Sequence, residues 1–150
     1  MKLKDKNRVH VFNGLNTTNK GPLSREALFN LELGDHEHNV QEYADYTEET
    51  DWKDGLPGFA PDGVGTVFIM FDKNDEAIRV GSSKSINGRI RTFKYGRGTS
   101  RAQIAEIATW KEAVSAVFIY MKKVGTEKHL ERDLQLNYNF RYNVKRLSVV

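Results

Sequence analysis

The two longest apolar runs in this chain, around Val67-Phe68-Ile69-Met70-Phe71 and Ala116-Val117-Phe118-Ile119-Tyr120, are strand-sized. Runs of that length fit strands and fall far short of the roughly 18 residues that a membrane span requires. The first is followed by a polar turn, Asp72-Lys73-Asn74-Asp75-Glu76, and by Ala77-Ile78-Arg79-Val80-Gly81, which together predict an antiparallel hairpin. From Ser85 to about Lys94, Ile86, Ile90 and Phe93 share one helical face at i, i+4, i+7. Gly96-Arg97-Gly98 ends that helix. Ser100 to Lys111 predicts a second, with Ile104, Ile107, Ala108 and Trp110 as its apolar residues. Val114 to Met121 is the third strand. Thr126 then caps a last helix that turns Leu130 and Leu134 inward. The expected fold class is α/β of the α+β kind: a small three-stranded antiparallel sheet flanked by helices, with a β-β-α-α-β-α core.

The first sixty residues read differently. Asn7 to Phe12 predicts a short strand, and Pro22 to Phe29 a short helix capped by Ser24. Asp35 to Asp54 is acidic and tyrosine-bearing, and Gly55 to Gly63 is a Gly/Pro-rich connector. The boundary therefore falls there, between an acidic extension over 1–62 and a main domain over 63–150. Residues 1–62 carry 7 Lys/Arg against 12 Asp/Glu, net −5. Residues 63–150 carry 16 against 8, net +8. A basic half beside an acidic one points to a polyanionic partner, nucleic acid above all. The acidic stretch either folds over the basic surface and competes with DNA or is a solvated loop.

With 150 residues the chain is about one domain, large enough to bury a core without covalent staples. It contains no cysteine, which excludes a disulfide framework and any thiolate zinc site. The charged start, Met1 to Lys6, has no apolar stretch behind it and does not read as a signal peptide. A soluble cytoplasmic protein is the expectation. Gly-rich nucleotide-binding motifs are missing, so no nucleotide cofactor is expected. His36-Glu37-His38 lies in acidic coil and reads as a polar loop rather than a metal site.

Four pieces in order carry a family resemblance. The hairpin is followed by Arg79-Val80-Gly81-Ser82-Ser83-Lys84-Ser85-Ile86-Asn87-Gly88-Arg89, and the end of the chain reads Leu130-Glu131-Arg132-Asp133-Leu134 through Arg141-Tyr142-Asn143-Val144. Arg79 and Arg89 are ten apart, and Glu131 and Asn143 twelve apart. From Gly65 to Val144 this resembles the GIY-YIG nucleases, and looks like a divergent member of a phage or mobile-element type. The resemblance implies an endonuclease that hydrolyses DNA phosphodiester bonds with Mg²⁺ or Mn²⁺. Glu131 would be the metal ligand, Arg89 the phosphate clamp, Arg79 a charged partner and Asn143 an organiser of the site. Lys84, Arg91, Lys94, Arg97 and Arg101 would track the DNA backbone electrostatically.

The departures are specific. Phe68 stands at the first family tyrosine, Arg79 at the second, and Phe93 where a tyrosine or histidine often follows the arginine. A hydroxyl or imidazole to position water would have to come from Tyr95, Tyr120 or His129, or the metal-bound water would be deprotonated without a protein base. The alternative to a nuclease is a degenerate member of the fold that binds nucleic acid or protein without cutting. Sequence specificity would have to come from the extension, from loops or from oligomerisation, a homodimer included.

Overall fold

The structure is a computed structural model, and it describes residues 20–31, 40–46, 63–94 and 100–142. The strand expected over Asn7 to Phe12, the His36-Glu37-His38 loop and the Gly/Pro-rich connector up to Asp62 lie outside the described residues. The elements in chain order are α1 (Arg25–Phe29), β1 (Val40–Tyr46), β2 (Thr66–Phe71), β3 (Ala77–Ser83), α2 (Ile86–Lys94), α3 (Arg101–Glu112), β4 (Ser115–Met121) and α4 (Glu127–Asn137). From β2 onward this is the expected β-β-α-α-β-α order. The three core strands pair antiparallel in the order β3-β2-β4.

The extension adds a fourth strand. β1, from within the acidic stretch, pairs antiparallel with β4, and the full order is β1-β4-β2-β3. The backbone of residues 40–46 thus lies at the sheet edge opposite β3, with two strands between. The rest of the stretch from Asp35 to Asp54 lies outside the described residues. Residues 20–31 also pack on the main fold. Leu23 and Leu28 are buried in its core, and the Ala77 and Arg25 amides donate to the Leu23 and Asp75 carbonyls at 2.8 and 3.1 Å.

Every residue of β2 and of β4 is buried. That explains their continuous apolar runs, because helices cover both faces of the sheet and neither strand has a solvent side. On one face, Val67, Ile69, Phe71, Val117, Ile119 and Met121 meet Leu130 and Leu134 of α4 and Leu28 of α1. On the other, Phe68, Met70, Phe118 and Tyr120 meet Ile86 and Ile90 of α2 and Trp110 of α3. Each such side chain, fully buried, contributes about 1.5–3 kcal/mol from apolar area alone.

Local chemistry sets the element ends. Ser24 accepts from the Ala27 amide at 3.0 Å and caps α1, as its sequence predicts. Ser100 and Gln103 cap α3 reciprocally in a capping box. Asp72 Oδ1 accepts from the Asn74 and Glu76 amides at 2.8 and 3.1 Å, closing the hairpin turn. Thr126 departs from expectation. Its hydroxyl donates to the Lys123 carbonyl at 2.7 Å, so it stands at the N-cap of α4 without a side-chain cap bond. No helix among the described residues is long and apolar enough to cross a membrane.

After α4 the chain returns to the hairpin. The Tyr142 amide donates to the Ile78 carbonyl at 2.9 Å, and its hydroxyl donates to Glu112 at 2.5 Å. That bond to a carboxylate, with burial second, raises the Tyr142 phenol above its usual 10.0. Burial alone raises Tyr138. A folded-state pKa above the unfolded one means stability fully present below pH 10.0 and lost as pH rises through the raised value. Thermal melts from about pH 8 to about pH 11 are expected to show a midpoint that falls once tyrosines ionise. Tyr142→Phe should make that fall shallower.

Candidate functional site at the edge of strand β3

A bulge in β3 decides which side chains face which layer. Arg79 pairs with Met70 and Ala77 with Phe71, leaving Ile78 as the extra residue. Directly paired residues of antiparallel strands share a face. Arg79, opposite Met70, therefore lies on the side covered by α2 and α3. Ser82 lies opposite Val67, on the side covered by α4. The end of β3 consequently presents chemistry to both layers at once.

On the α2/α3 side, Arg79 and Arg89 converge on one acceptor. Arg89 Nη2 donates to Glu106 Oε1 at 2.5 Å, and Arg79 Nη2 donates to the same oxygen. The Arg79 and Glu106 side chains are each only 14% exposed, and that of Arg89 is 29% exposed. Burial pushes the Arg79 guanidinium down from its ordinary value, and the neighbouring Arg89 charge adds to this. Glu106 and Glu131 oppose it. Two like charges are tolerated here because a carboxylate sits between them.

On the α4 side, the Ser82 hydroxyl donates to Glu131 Oε1 at 2.5 Å, and Gln135 Nε2 approaches Oε2 at 3.4 Å. The two sides are joined through Ser82, whose carbonyl accepts from Arg89 Nη1 at 2.5 Å. Beneath Arg89 lies the Phe68 ring, 5.2 Å from guanidinium carbon to ring centre, within cation–π range. Phe68 reaches that position because Gly81 has no side chain. A Cβ at Gly81 would stand 2.3 Å from the tip of the ring.

Of the residues singled out from sequence, the fold brings Arg79, Arg89 and Glu131 into one connected network. Lys84 lies exposed just beyond β3, and Arg101 is exposed at the start of α3. Arg91 and Lys94 belong to α2, but their side chains lie outside the described residues, as do Arg97, Tyr95 and Asn143. Tyr120 is 4% exposed in the core on the α2/α3 side, and His129 is on the exposed side of α4.

Two members were not anticipated. Ser82 stood within the quoted motif without a role. Glu106 was hidden by the apolar pattern of its helix. Ile104 and Ala108 are exposed, whereas Glu106 and Ile107 are half-buried, and Thr109, Trp110 and the C-cap Ala113 are buried. The Glu106 carboxylate turns inward, where it supplies a counter-charge to the two arginines. An unpaired pair of basic residues ten apart, followed by an acidic residue on the next helix, was the available signal.

For a hard divalent cation the network offers one carboxylate, Glu131, whose Oε2 among the described residues holds only the long contact with Gln135. Among the described residues there is no cluster of three or more His, Cys, Asp or Glu placed to hold a metal. A single carboxylate with water and a substrate phosphate is a donor set that Mg²⁺ accepts. In comparisons with known protein families, curated proteins and solved structures, nothing matches this chain.

Proposed function

We propose that this protein is a Mg²⁺- or Mn²⁺-dependent endonuclease of the GIY-YIG type, hydrolysing DNA phosphodiester bonds at the β3 edge. The observation that carries this reading is the network itself. Arg79 and Arg89 of the hairpin and first core helix meet Glu131 of the last helix through Ser82. Phosphodiester hydrolysis needs positive charge on the phosphoryl oxygens and an oriented water, and the two arginines supply the first. A guanidinium suits that role because its donors match phosphate oxygens in a planar fork. Glu131 would hold the metal, which supplies Lewis-acid polarisation of the phosphate and a more acidic water. Ser82 fixes one oxygen of Glu131 and leaves the other directed elsewhere. Its hydroxyl lies next to the carboxylate, at a site where Phe68 provides none. Lys84 and Arg101, both exposed, extend positive charge outward for the DNA backbone.

Supercoiled plasmid incubated with the protein and Mg²⁺ or Mn²⁺ tests the proposal. Metal-dependent conversion to nicked circles that EDTA abolishes is the expected result. An intact plasmid after prolonged incubation with either metal would rule the enzyme out.

A second reading is binding to nucleic acid without cleavage. Phe68 favours it, because a ring packed on Gly81 and stacked under Arg89 holds no proton to transfer. Its signature is DNA affinity that falls steeply with salt in a protein that leaves the DNA whole.

A further inference from the structure

Both guanidinium groups at the β3 edge spend a donor on a single oxygen, Oε1 of Glu106. Two charge-assisted bonds converging on one anionic oxygen are also the arrangement in which arginines hold a non-bridging phosphate oxygen. Arg89 has supports besides Glu106, and Arg79 is fixed at its backbone while its guanidinium bonds to Glu106. Arg79 is anchored in β3, and Arg89 keeps its bond to the Ser82 carbonyl and its seat over Phe68. Glu106 comes from a different element, α3, whose capping box holds the helix start without it. Its carboxylate reaches the arginines through a flexible side chain. The occupant can therefore leave while the cradle stays.

We propose that Arg79 and Arg89 form a binding site for a phosphoryl oxyanion, that Glu106 occupies it in the free protein, and that phosphate enters by displacing this carboxylate. This deepens the phosphodiester reading of the same site and rests on it for the identity of the natural ligand. Glu106 is then an internal competitor. It keeps two half-buried like charges compatible before substrate arrives and raises the threshold for weak or incidental anions. A purely structural strut between α3 and β3 would use the same bonds but would have the opposite consequence on removal.

The test compares wild type with Glu106→Gln, which keeps the shape of the side chain and removes its charge. Inorganic phosphate is titrated against each, with sodium chloride at matched ionic strength as the control, and thermal midpoints are read. Binding to the folded state alone raises the midpoint by mass action. The expected result is phosphate binding at least about tenfold tighter in Glu106→Gln than in wild type, with no such gain from chloride. Equal or weaker phosphate binding by the variant overturns the displacement model. If Glu106→Gln does not fold even in phosphate, Glu106→Asp is read in the same assay. Its carboxylate is one methylene shorter, and the same two outcomes decide.

A short DNA duplex titrated without metal separates this from the functional reading. A gain in phosphate binding with no DNA binding keeps the displacement and removes the DNA assignment. DNA binding by wild type without any phosphate gain in the variants does the reverse.

Discussion

Glu131→Ala is expected to abolish plasmid nicking, and Arg89→Ala to lower its rate about a hundred- to a thousandfold, the scale of removing one preorganised charge-stabilising donor (about 2.7–4 kcal/mol). The two losses have different causes. Glu131 is the carboxylate proposed to hold the divalent ion, since Glu106 is engaged by both arginines. Arg89→Lys should recover only part of the Arg89 loss. A lysine cannot donate to the Ser82 carbonyl and to an oxyanion with one planar group. Glu131→Gln is the sharper control for the carboxylate. Its amide oxygen can still accept from Ser82, so the fold should be kept while metal-dependent nicking disappears. Nicking rates measured against Mn²⁺ concentration, beside thermal melts of each variant, check all of this. Nicking by Glu131→Ala at the wild-type rate would remove Glu131 from the chemistry.

Phe68→Ala is expected to be the most damaging single change to stability, about 3–5 kcal/mol, from lost burial and from the cavity it leaves. Phe68 is completely buried in central strand β2, among Met70, Ile78, Ile90 and Phe118. Whole domains are stable by about 5–15 kcal/mol, so this loss removes a large share of the total. Urea unfolding followed by far-UV circular dichroism measures it. Phe68→Leu, which keeps much of the volume, should cost less than half as much. The same ring supports Arg89 from below, so Phe68→Ala should also weaken phosphate binding in whatever fraction stays folded. A loss below about 1 kcal/mol would mean that the layer collapses readily around the gap.

The β-β-α-α-β-α order was legible because strand and helix periods differ and because Gly and Asp/Asn punctuate the chain where the structure turns. The capping serine at Ser24 and the Asp72 turn were equally legible, since both are local hydrogen-bonding devices. Less legible was the inward face of α3. Ile104 and Ala108 suit an apolar stripe, yet both are exposed, and Glu106 points inward. Apolar periodicity assumes that a helix buries hydrocarbon, whereas α3 must also bring a charge to two arginines. The pairing of β1 with β4 was likewise not visible. The segment is acidic and follows no hairpin, so nothing near it in sequence announces its partner.

By itself the sequence determined the strand-sized apolar runs, the hairpin, the helix spans and the spacing of Arg79, Arg89 and Glu131. Each depends on residues within a turn or two of one another, or on counting along the chain. Only the tertiary structure decided that β3 is an edge strand whose end faces both helical layers. It also decided that Ser82 joins Arg89 to Glu131, and that Glu106 closes the arginine pair. Those contacts link residues 7 to 49 positions apart. They follow from sheet order, from one bulge and from the side each helix packs on, none of which short-range propensity encodes.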